Sequence, residues 1–362
     1  MILNKIKVLI VDDSSLIRQT FKSLLESDPG IEVIGTASDP YIAVQKIQQV
    51  KPDVITLDIE MPKMDGLTFL KKIMKQAPMP VVVISNQTIK GAEVALKALE
   101  YGAVNVLSKP RIATEIQREE YRIKFIDSLK SAFFARNPKV KIPITKKVKD
   151  PVLATPKKEI AQREVSEEII SEGKPSLIVI GASTGGTVAI KKIVEDLPDQ
   201  VPPILIVQHM PEKFTTSFAN SLNECSGLYV KEAEHNELIQ PNTIYIAPGN
   251  YHMSIWKSGS KKRIKISQGD LVNRHRPSVN VLFDSVAQYV GKKALGIMLT
   301  GMGDDGATSM LKMKQSGAQT IAQDESSCVV FGMPRKAIEL GAVRQVLPLD
   351  KIAGVINKRL LG

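Results

Sequence analysis

Short apolar runs alternate with amphipathic stretches along most of the chain. Near the N-terminus, five runs of four to six residues are rich in Val, Ile and Leu, as strands buried on both faces are. The stretches between them repeat apolar residues at helical spacing, so the pattern predicts a doubly wound parallel sheet with helices on both faces. The predicted strands are KVLIVD (7–12), EVIGTA (32–37), DVITLD (53–58), PVVVIS (80–85) and NVLS (105–108), followed by a helix over 116–135.

The same alternation resumes near residue 175 on a larger scale. Six apolar runs there predict a second doubly wound, mainly parallel α/β domain. Residues 251–267 break the pattern, because two runs flank a Gly-Ser turn and predict a β-hairpin. The predicted strands are SLIVIG (176–181), PILIVQ (203–208), TIYIA (243–247), ALGIMLT (294–300), AQTIAQ (318–323) and AVRQVL (342–347), and two of the predicted helices cover 213–225 and 305–316.

A basic, proline-containing segment separates the two alternating regions. Residues 136–163 hold nine Lys or Arg against Asp150 and Glu159, which accounts for +7 of the chain's net charge of +11. Such a segment is typically a solvated, extended linker, so the charge does not by itself indicate a nucleic-acid partner, and none is expected. The sequence therefore divides into a first domain (1–125), a helical extension with a linker (126–174) and a second domain (175–362).

Composition narrows the class of protein further. A chain of 362 residues, 43% hydrophobic and 24% charged, suits two or three folded domains. No run of eighteen apolar residues occurs, and the opening MILNKIKVLIVDDSS lacks the long apolar region of a signal peptide, so a cytoplasmic location without membrane insertion is expected. Cys225 and Cys328 lack C-x-x-C spacing; we expect both to be buried, with neither a disulfide framework nor a cysteine metal site.

Polar side chains follow the predicted strands of the first domain. Asp12 and Asp13 end the first strand, Asp58 ends the third, Ser85 ends the fourth and Lys109 follows the fifth. The carboxyl ends of parallel strands meet at one edge of the sheet, where three carboxylates form an oxygen site suited to Mg²⁺. One carboxylate can then accept a phosphoryl group while the metal, the lysine and the hydroxyl neutralise its charge.

These residues, in the motifs VDDS, LDIEMPKMDGL and KP (109–110), resemble the response-regulator receiver domain, a flavodoxin-like (CheY-like) fold, over about residues 5–125. The resemblance implies phosphorylation by a CheA-type histidine kinase. In one respect the sequence departs from the family: Val106 stands where Phe or Tyr is usual, and Tyr101 lies too early to replace it. The implied site comprises Asp58 as phosphoacceptor, Ser85 and Lys109 as phosphoryl contacts, and Asp12, Asp13, Asp58 and the backbone carbonyl of Glu60 as Mg²⁺ ligands.

Where the strand over 176–181 ends, the sequence GASTGG admits two interpretations. Gly181 to Gly185 matches G-x-S-x-G, the sharp strand-to-helix turn that presents a nucleophilic serine. The same glycines can instead let backbone N–H groups approach a phosphate at a helix N-terminus. No basic cradle or acidic ribose-binding residue follows at the expected distance, which disfavours dinucleotide binding.

Two further strand ends carry polar loops, LIVQHMPEKF and IMLTGMGDDGA. They bring His209 and the carboxylates Asp304 and Asp305 to the same predicted sheet edge as Ser183. A hydroxyl, an imidazole that activates it and a carboxylate that orients the imidazole are what acyl transfer requires. The chain order Ser, His, Asp differs from the Ser, Asp, His order of the α/β-hydrolases and disfavours that fold.

The motifs GASTGG, QHMPEKFTTSFANSL, APGNYHM, RHRPSVNVLF and LTGMGDDGA resemble the CheB family, the protein-glutamate methylesterase/glutaminases of bacterial chemotaxis. The resemblance implies hydrolysis of glutamate γ-methyl esters, with release of methanol, and deamidation of specific glutamines on the cytoplasmic helices of methyl-accepting chemoreceptors, without a cofactor for the esterase chemistry. Asn280 stands where many relatives carry Asp. The implied roles are Ser183 as nucleophile, His209 as general base and then acid, Asp305 as orienting acid, the Met302 N–H as oxyanion donor and Thr184 as an assisting neighbour.

A receiver joined to an esterase predicts regulation, in which the unphosphorylated receiver covers the catalytic cleft and phosphorylation shifts it away. The alternative interpretation is a non-catalytic adaptor whose receiver gates binding to receptors or nucleic acid, as the basic linker would permit. That alternative does not explain the three polar motifs at the strand ends of the second domain. The sequence also contains no helix-turn-helix or aromatic-rich RNA motif.

Overall fold

Two parallel sheets form the framework of the computed structural model, which describes residues 5–110, 112–136, 174–259 and 261–361. The basic linker predicted between the domains lies almost entirely outside the described residues. None of the helices within the described ranges has the length and apolar character needed to cross a bilayer. The two α/β domains and their predicted order along the chain are confirmed.

The N-terminal domain has a five-stranded parallel sheet with the order β2-β1-β3-β4-β5. Its first four helices begin at side chains that accept hydrogen bonds from the first turn, namely Ser14, Asp39, Asp65 and Thr88, which explains where each helix starts. The elements are β1 (Ile6–Val11), α1 (Ser15–Glu26), β2 (Ile31–Ala37), α2 (Pro40–Val50), β3 (Val54–Asp58), α3 (Gly66–Gln76), β4 (Val81–Ser85), α4 (Ile89–Glu100), β5 (Asn105–Ser108) and α5 (Glu115–Arg136).

Helix α5 runs through the boundary expected at residue 125. Phe125, Leu129 and Ala132 are buried in the core that the N-terminal sheet shares with α1, so the helix packs as part of this domain on both sides of the boundary. We propose that the N-terminal unit extends to the end of α5 and that the linker begins after it.

The C-terminal domain has a seven-stranded, wholly parallel sheet with the order β14-β13-β12-β6-β7-β9-β8, beside an antiparallel hairpin. The strands are β6 (Leu177–Ala182), β7 (Ile204–Gln208), β8 (Tyr229–Glu232), β9 (Thr243–Ile246), β10 (His252–Ser258), β11 (Lys261–Ser267), β12 (Ala294–Met298), β13 (Gln319–Gln323) and β14 (Gln345–Leu347). The helices are α6 (Gly186–Glu195), α7 (Phe214–Cys225), α8 (Val279–Tyr289), α9 (Ala307–Gln315), α10 (Met333–Glu339) and α11 (Leu349–Leu361).

Strand β8 was not predicted, and the two cysteines are more exposed than expected. Strand β8 is a short edge strand with Lys231 and Glu232 in its second half, so it lacks the apolar run by which the inner strands were recognised. Cys225 and Cys328 are free but only partly buried, whereas burial was expected. Burial nevertheless raises the pKa of the Cys328 thiol to about 12, so this thiol is unreactive at neutral pH.

The first residue of α8, Val279, packs between strand β6 and the loop that leaves β12. A Cβ on Gly181 or on Gly306 would lie 2.4 Å from Val279 Cγ1, so both positions require glycine for close packing. The turn after β6 depends instead on Gly185, which has a φ of 79°. Gly181 was expected to permit the sharp turn; its role is to admit the Val279 side chain.

We predict that Gly181→Ala destabilises the C-terminal domain by about 1–3 kcal/mol, because Val279 cannot retain its place beside a methyl group. Chemical unfolding followed by the fluorescence of Trp256, the only tryptophan, reports on this domain through β10. Gly354→Ala in α11 is the matched control: an added Cβ meets nothing within 4 Å there, so stability should stay the same or rise. Equal unfolding midpoints for Gly181→Ala and the parent chain would refute the packing role.

Candidate active and phosphoacceptor sites

The acidic residues predicted at the edge of the N-terminal sheet lie together. One carboxylate oxygen from each of Asp12, Asp13 and Asp58 lies within 4.8 Å of the other two. The ammonium of Lys109 is 2.7 Å from Asp58 Oδ2 and 3.7 Å from Asp12 Oδ2. Asp12 and Asp58 are fully buried, whereas Asp13 is exposed. The arrangement therefore places two buried carboxylates and one lysine at the ends of adjacent strands.

Burial sets the electrostatics of this acidic cluster. It raises the pKa of Asp58 to about 6, with the neighbouring Asp12 carboxylate adding to the effect and Lys109 opposing it. Burial also raises the pKa of Asp12, whose Oδ2 has no hydrogen-bond partner among the described residues. A buried carboxylate oxygen without a hydrogen bond, beside two other carboxylates, fits a hard divalent cation such as Mg²⁺, which takes oxygen ligands.

The other predicted members of the phosphoacceptor site make contacts within the N-terminal domain. The Ser85 hydroxyl is buried and donates to the Gly91 carbonyl at 3.0 Å, and the Glu60 N–H donates to Asp58 Oδ1 at 3.1 Å. The metal-binding role of the Glu60 carbonyl stays a prediction.

Val106, which replaces the Phe or Tyr usual in receiver domains, is buried in the core. Two aromatic residues lie elsewhere in the same domain. Tyr101 lies at the end of α4 with Lys71 Nζ 4.0 Å from its ring centroid. Tyr121 of α5 was not anticipated: its hydroxyl donates to the Ser108 carbonyl at 3.0 Å, next to Lys109 in the chain. An aromatic ring therefore lies against the end of β5, supplied by the neighbouring helix.

The loops after β6, β7 and β12 bring Ser183, His209 and Asp305 to one point of the C-terminal sheet. Strand β6 has β7 on one side and β12 on the other, so these loops leave three adjacent strands. The Ser183 N–H donates to the Thr300 carbonyl at 3.0 Å, and the His209 N–H donates to the Ala182 carbonyl at 3.1 Å. This is the crevice at which doubly wound sheets bind ligands.

Asp305 is a buried carboxylate with donors on every side. Oδ2 lies 2.8 Å from His209 Nε2 and accepts from the Val279 N–H at 2.7 Å. Oδ1 accepts from the Ser278 hydroxyl at 2.6 Å and from the Asn280 N–H at 3.1 Å. Burial alone would raise the pKa of Asp305, but the contacts with His209 and Ser278 outweigh it and hold the pKa below its usual range. The carboxylate therefore stays ionised at the N-terminus of α8.

Sequence analysis did not identify Ser278 as part of this site. The available signal was its position before the apolar run of α8, which is typical of a helix N-cap. Asn280 accepts hydrogen bonds from Thr308 and from the Ser309 N–H, so its amide joins α8 to α9. Asp304 accepts from the Asn273 side chain at 3.2 Å and thereby holds the neighbouring loop.

His275 stacks directly on His209, a contact that sequence analysis did not predict. The ring centroids are 3.7 Å apart and the ring planes differ by 11°. Nδ1 of His275 lies 2.6 Å from the Asn273 carbonyl, to which it donates. Burial, followed by the nearby His209, lowers the pKa of His275 to about 3. His275 is therefore a neutral ring that fixes the plane of His209.

The reacting side of the site opens into a cavity. His209 uses Nε2 for Asp305, and its buried Nδ1 has no hydrogen-bond partner among the described residues, Ser183 included. Ser183 is half-buried and lines the same cavity as His209, Thr184 and Met302. The Thr184 hydroxyl is buried, also without a partner among the described residues. The hydroxyl, the free imidazole nitrogen and the Met302 loop thus border one space.

This cavity lies between the two domains and has a volume of about 410 Å³. Helix α5 forms its opposite wall: Arg276 Nη2 is 3.1 Å from Glu120 Oε2, and Arg274 Nη1 is 3.3 Å from Asp127 Oδ1. The Ser131 hydroxyl lies 3.0 Å from Met302 Sδ. The N-terminal domain therefore lies over the cleft that contains Ser183.

Comparisons with known proteins agree with this architecture. A family model described as CheB methylesterase matches residues 178–356, and one described as response regulator receiver domain matches residues 8–119. The protein-glutamate methylesterase/protein-glutamine glutaminase 3 of Geobacter metallireducens is 49% identical over 351 residues, which cover 97% of this chain and 98% of that protein. The corresponding protein 5 of Anaeromyxobacter dehalogenans is 50% identical over 351 residues, covering 96% of this chain and 94% of that protein.

The chain is also similar to a solved structure, that of the CheB methylesterase catalytic domain of Thermotoga maritima. The TM-score is 0.50 at 40% sequence identity, and the match covers 52% of this chain and 98% of that domain.

We predict that His275 makes the C-terminal domain sensitive to acid. The ring stays neutral in the folded state, with a pKa of about 3, but takes up a proton in the unfolded chain below about pH 6.5. Unfolding is therefore favoured progressively as the pH falls from about 6.5 towards 3, with about 2 kcal/mol lost between pH 7 and pH 5.

In His275→Phe, which keeps a stacking ring without a titrating group, this loss should largely disappear. Unfolding midpoints from Trp256 fluorescence at pH 7 and pH 5 measure it. His235→Gln, at an exposed histidine, is the control and should keep the parent's pH dependence. The same loss in His275→Phe as in the parent would contradict the assignment.

Proposed function

This chain belongs to the CheB methylesterase family and carries a response-regulator receiver domain, and from this membership we infer that it is a phosphorylation-regulated protein-glutamate methylesterase and protein-glutamine glutaminase. Its substrates are γ-methyl esters of glutamate, and specific glutamines, on methyl-accepting chemoreceptors, and its role is adaptation in chemotaxis. One observation carries the catalytic part: Ser183 and His209 line a common cavity, with His209 held by Asp305 and its Nδ1 free.

The acylation step follows from the orientation of His209. Because Nε2–H donates to Asp305, the other nitrogen, Nδ1, is the unprotonated base. Ser183 Oγ attacks the ester carbonyl carbon while its proton passes to Nδ1, and the negative charge develops on the carbonyl oxygen. The Met302 N–H and the Thr184 hydroxyl, neither of which has an acceptor among the described residues, border the same cavity and donate to that oxygen.

Collapse of the tetrahedral intermediate breaks the bond to the methoxy group, which leaves as methanol with the proton from His209. The acyl-enzyme is then hydrolysed by water, which gives its proton to Nδ1 and attacks the same carbonyl carbon. Ser183 recovers the proton as it departs, leaving a glutamate side chain. A glutamine follows the same path with ammonia as the leaving group. The ionised Asp305 stabilises the imidazolium at each proton transfer.

Regulation follows from the position of the receiver domain. Asp58 is the phosphoacceptor, and Lys109, 2.7 Å from its carboxylate, neutralises the added phosphoryl charge together with the Ser85 hydroxyl. Asp12, Asp13, Asp58 and the Glu60 carbonyl would hold Mg²⁺, which supplies further charge neutralisation. With α5 across the cleft, a protein substrate cannot reach Ser183. Phosphorylation shifts the population towards chains in which the receiver has moved away.

The partners follow from the same assignment. The phosphodonor is a CheA-type histidine kinase and the substrate is the cytoplasmic part of the receptor, so we place the enzyme in the cytoplasm. The basic linker, which motivated a nucleic-acid adaptor as the alternative, supplies none of the residues to which we assign catalytic roles. The esterase chemistry needs no cofactor in this mechanism.

The proposed nucleophile is tested by the release of labelled methanol from methyl-esterified receptor membranes. We predict that Ser183→Ala lowers the rate by at least about 10³-fold while Trp256 fluorescence shows the parent's unfolding midpoint, because only the attacking hydroxyl is lost. Ser326→Ala, at an exposed serine, is the matched control and should hydrolyse at the parent rate. Activity in Ser183→Ala would remove this residue as nucleophile.

The regulatory site is tested with a small phosphodonor and Mg²⁺. The parent chain should hydrolyse receptor esters about tenfold faster with the phosphodonor, which corresponds to a differential free energy of about 1.4 kcal/mol, and Asp58→Asn should show no stimulation. Chelation of Mg²⁺ should abolish the stimulation but leave the basal rate. A basal rate that also disappears would contradict a metal-free esterase.

A further inference from the structure

Two arginines project from one loop of the C-terminal domain towards α5. The loop contains Asn273 and Arg274, which adopt φ angles of 48° and 68°, and His275, which stacks on His209. Left-handed backbone is unfavourable for arginine, so the loop is held in shape by its surroundings. Arg274 and Arg276 lie on either side of His275 in the sequence. Because His275 stacks on His209, the proposed base, the backbone of both arginines is positioned relative to His209.

The guanidinium of Arg276 is oriented by its own domain. Nε and Nη2 donate to Asn250 Oδ1 at 3.1 and 2.9 Å, and Nη1 donates to the Gly269 carbonyl. These three contacts do not involve the receiver, so the guanidinium keeps its direction when the receiver leaves. Nη2 also contacts Glu120 of α5 at 3.1 Å. Removal of that carboxylate leaves an oriented cation facing the cleft, which favours another anion in its place.

Helix α5 shows what kind of surface the arginines accept. Glu120 and Asp127 are seven residues apart, which is two helical turns or about 10.5 Å, so both carboxylates lie on one face. Lys124, Ser128 and Ser131 of the same helix also line the cavity. The cleft as folded therefore accommodates a polar helix face whose acidic groups are two turns apart.

The ion pairs are ill suited to serve only as a clamp between the domains. Arg274 is half exposed, and pairs of this kind contribute about 0–1 kcal/mol. Burial raises the pKa of Asp127 even with Arg274 beside it, so its charged form is poorly stabilised in the closed arrangement. Recognition of an incoming substrate accounts for the two arginines, of which Arg276 is oriented by its own domain, better than stability of the closed form does.

We propose that Arg274 and Arg276 form a docking site for carboxylates two turns apart on an acidic helix of the protein substrate, and that α5 occupies this site as an intramolecular mimic of that helix. The inference rests on the proposed function, because it assigns the substrate-binding surface beside the same Ser183. In the open chain the arginines bind carboxylates that flank the scissile ester or amide, and place that group in the cavity with His209.

The test uses the full chain and two substrates: methyl-esterified receptor membranes and a small neutral ester, N-acetylglutamate γ-methyl ester with its α-carboxyl amidated. Arg274→Gln and Asp127→Asn form a matched pair, because they break the same ion pair from opposite sides. Without phosphodonor, both should hydrolyse the small ester faster than the parent, by up to several-fold, since each loosens the contact over the cleft.

On receptor membranes with phosphodonor and Mg²⁺, the two variants should diverge. Asp127→Asn should match or exceed the parent, whereas Arg274→Gln should show a KM raised about tenfold with kcat retained, and this difference should shrink at high salt. Glu120→Gln and Arg276→Gln form a second pair with the same expectation, provided that Trp256 fluorescence shows Arg276→Gln to be folded.

Equal behaviour of Arg274→Gln and Asp127→Asn on both substrates would overturn the inference, because the arginines would then only hold the domains together; the esterase assignment would stand. If the phosphorylated parent hydrolyses neither substrate, the proposed function fails, and the docking site fails with it. Faster hydrolysis of receptor esters by Arg274→Gln than by the parent would likewise refute a docking role.

Discussion

The buried carboxylate of Asp305 is the constraint around which the C-terminal domain is arranged. A charge in this position would be strongly unfavourable without partners, and it has four donors: an imidazole, a hydroxyl and two backbone N–H groups of α8. The same helix start supplies Val279, which fits between Gly181 of β6 and Gly306 in the loop after β12. The hydrogen bonds of Asp305 and the packing of Val279 thus both hold the start of α8 against the loop after β12, and the contact with Asp305 orients His209.

The contact between the domains is of two kinds. On one side, α4 packs against α7, and Phe214 is fully buried against the core of the receiver. On the other, α5 meets the catalytic cleft through ion pairs and hydroxyl groups around a cavity. Apolar contacts remain favourable in water, whereas ion pairs exchange readily with solvent or with other charged groups. This difference favours separation at the cleft, where the substrate must enter, before separation at α7.

Much of the fold and the centre of each site could be predicted from the sequence, because both depend on local patterns. Inner strands of parallel sheets are continuous apolar runs, and polar residues at their ends identify the crevice. Ser183, His209 and the pair Asp304 and Asp305 were found in this way, and the family resemblance then selected Asp305. Strand β8 was missed because an edge strand needs no apolar run. Ser278 and His275 were missed because their partners lie on other loops, at distances that no spacing along the chain encodes. The position of the receiver over the cleft could not be predicted, because it is a tertiary contact between two surfaces. In the sequence, each of these surfaces has the pattern of an ordinary solvent-exposed polar face.

The use of Nε2 for Asp305 leaves Nδ1, the ring nitrogen closest to the backbone of His209, to accept the proton of the proposed nucleophile. The His209 N–H is itself bonded to the carbonyl of Ala182, the residue before Ser183, in continuation of the ladder between β6 and β7. The backbones at Ser183 and His209 are therefore held at the spacing of two hydrogen-bonded strands, about 4.8 Å. During divergence of such a domain, the loops beyond these two positions are free to lengthen, whereas a single inserted residue between β7 and His209 would shift the base out of line with the strand beside it.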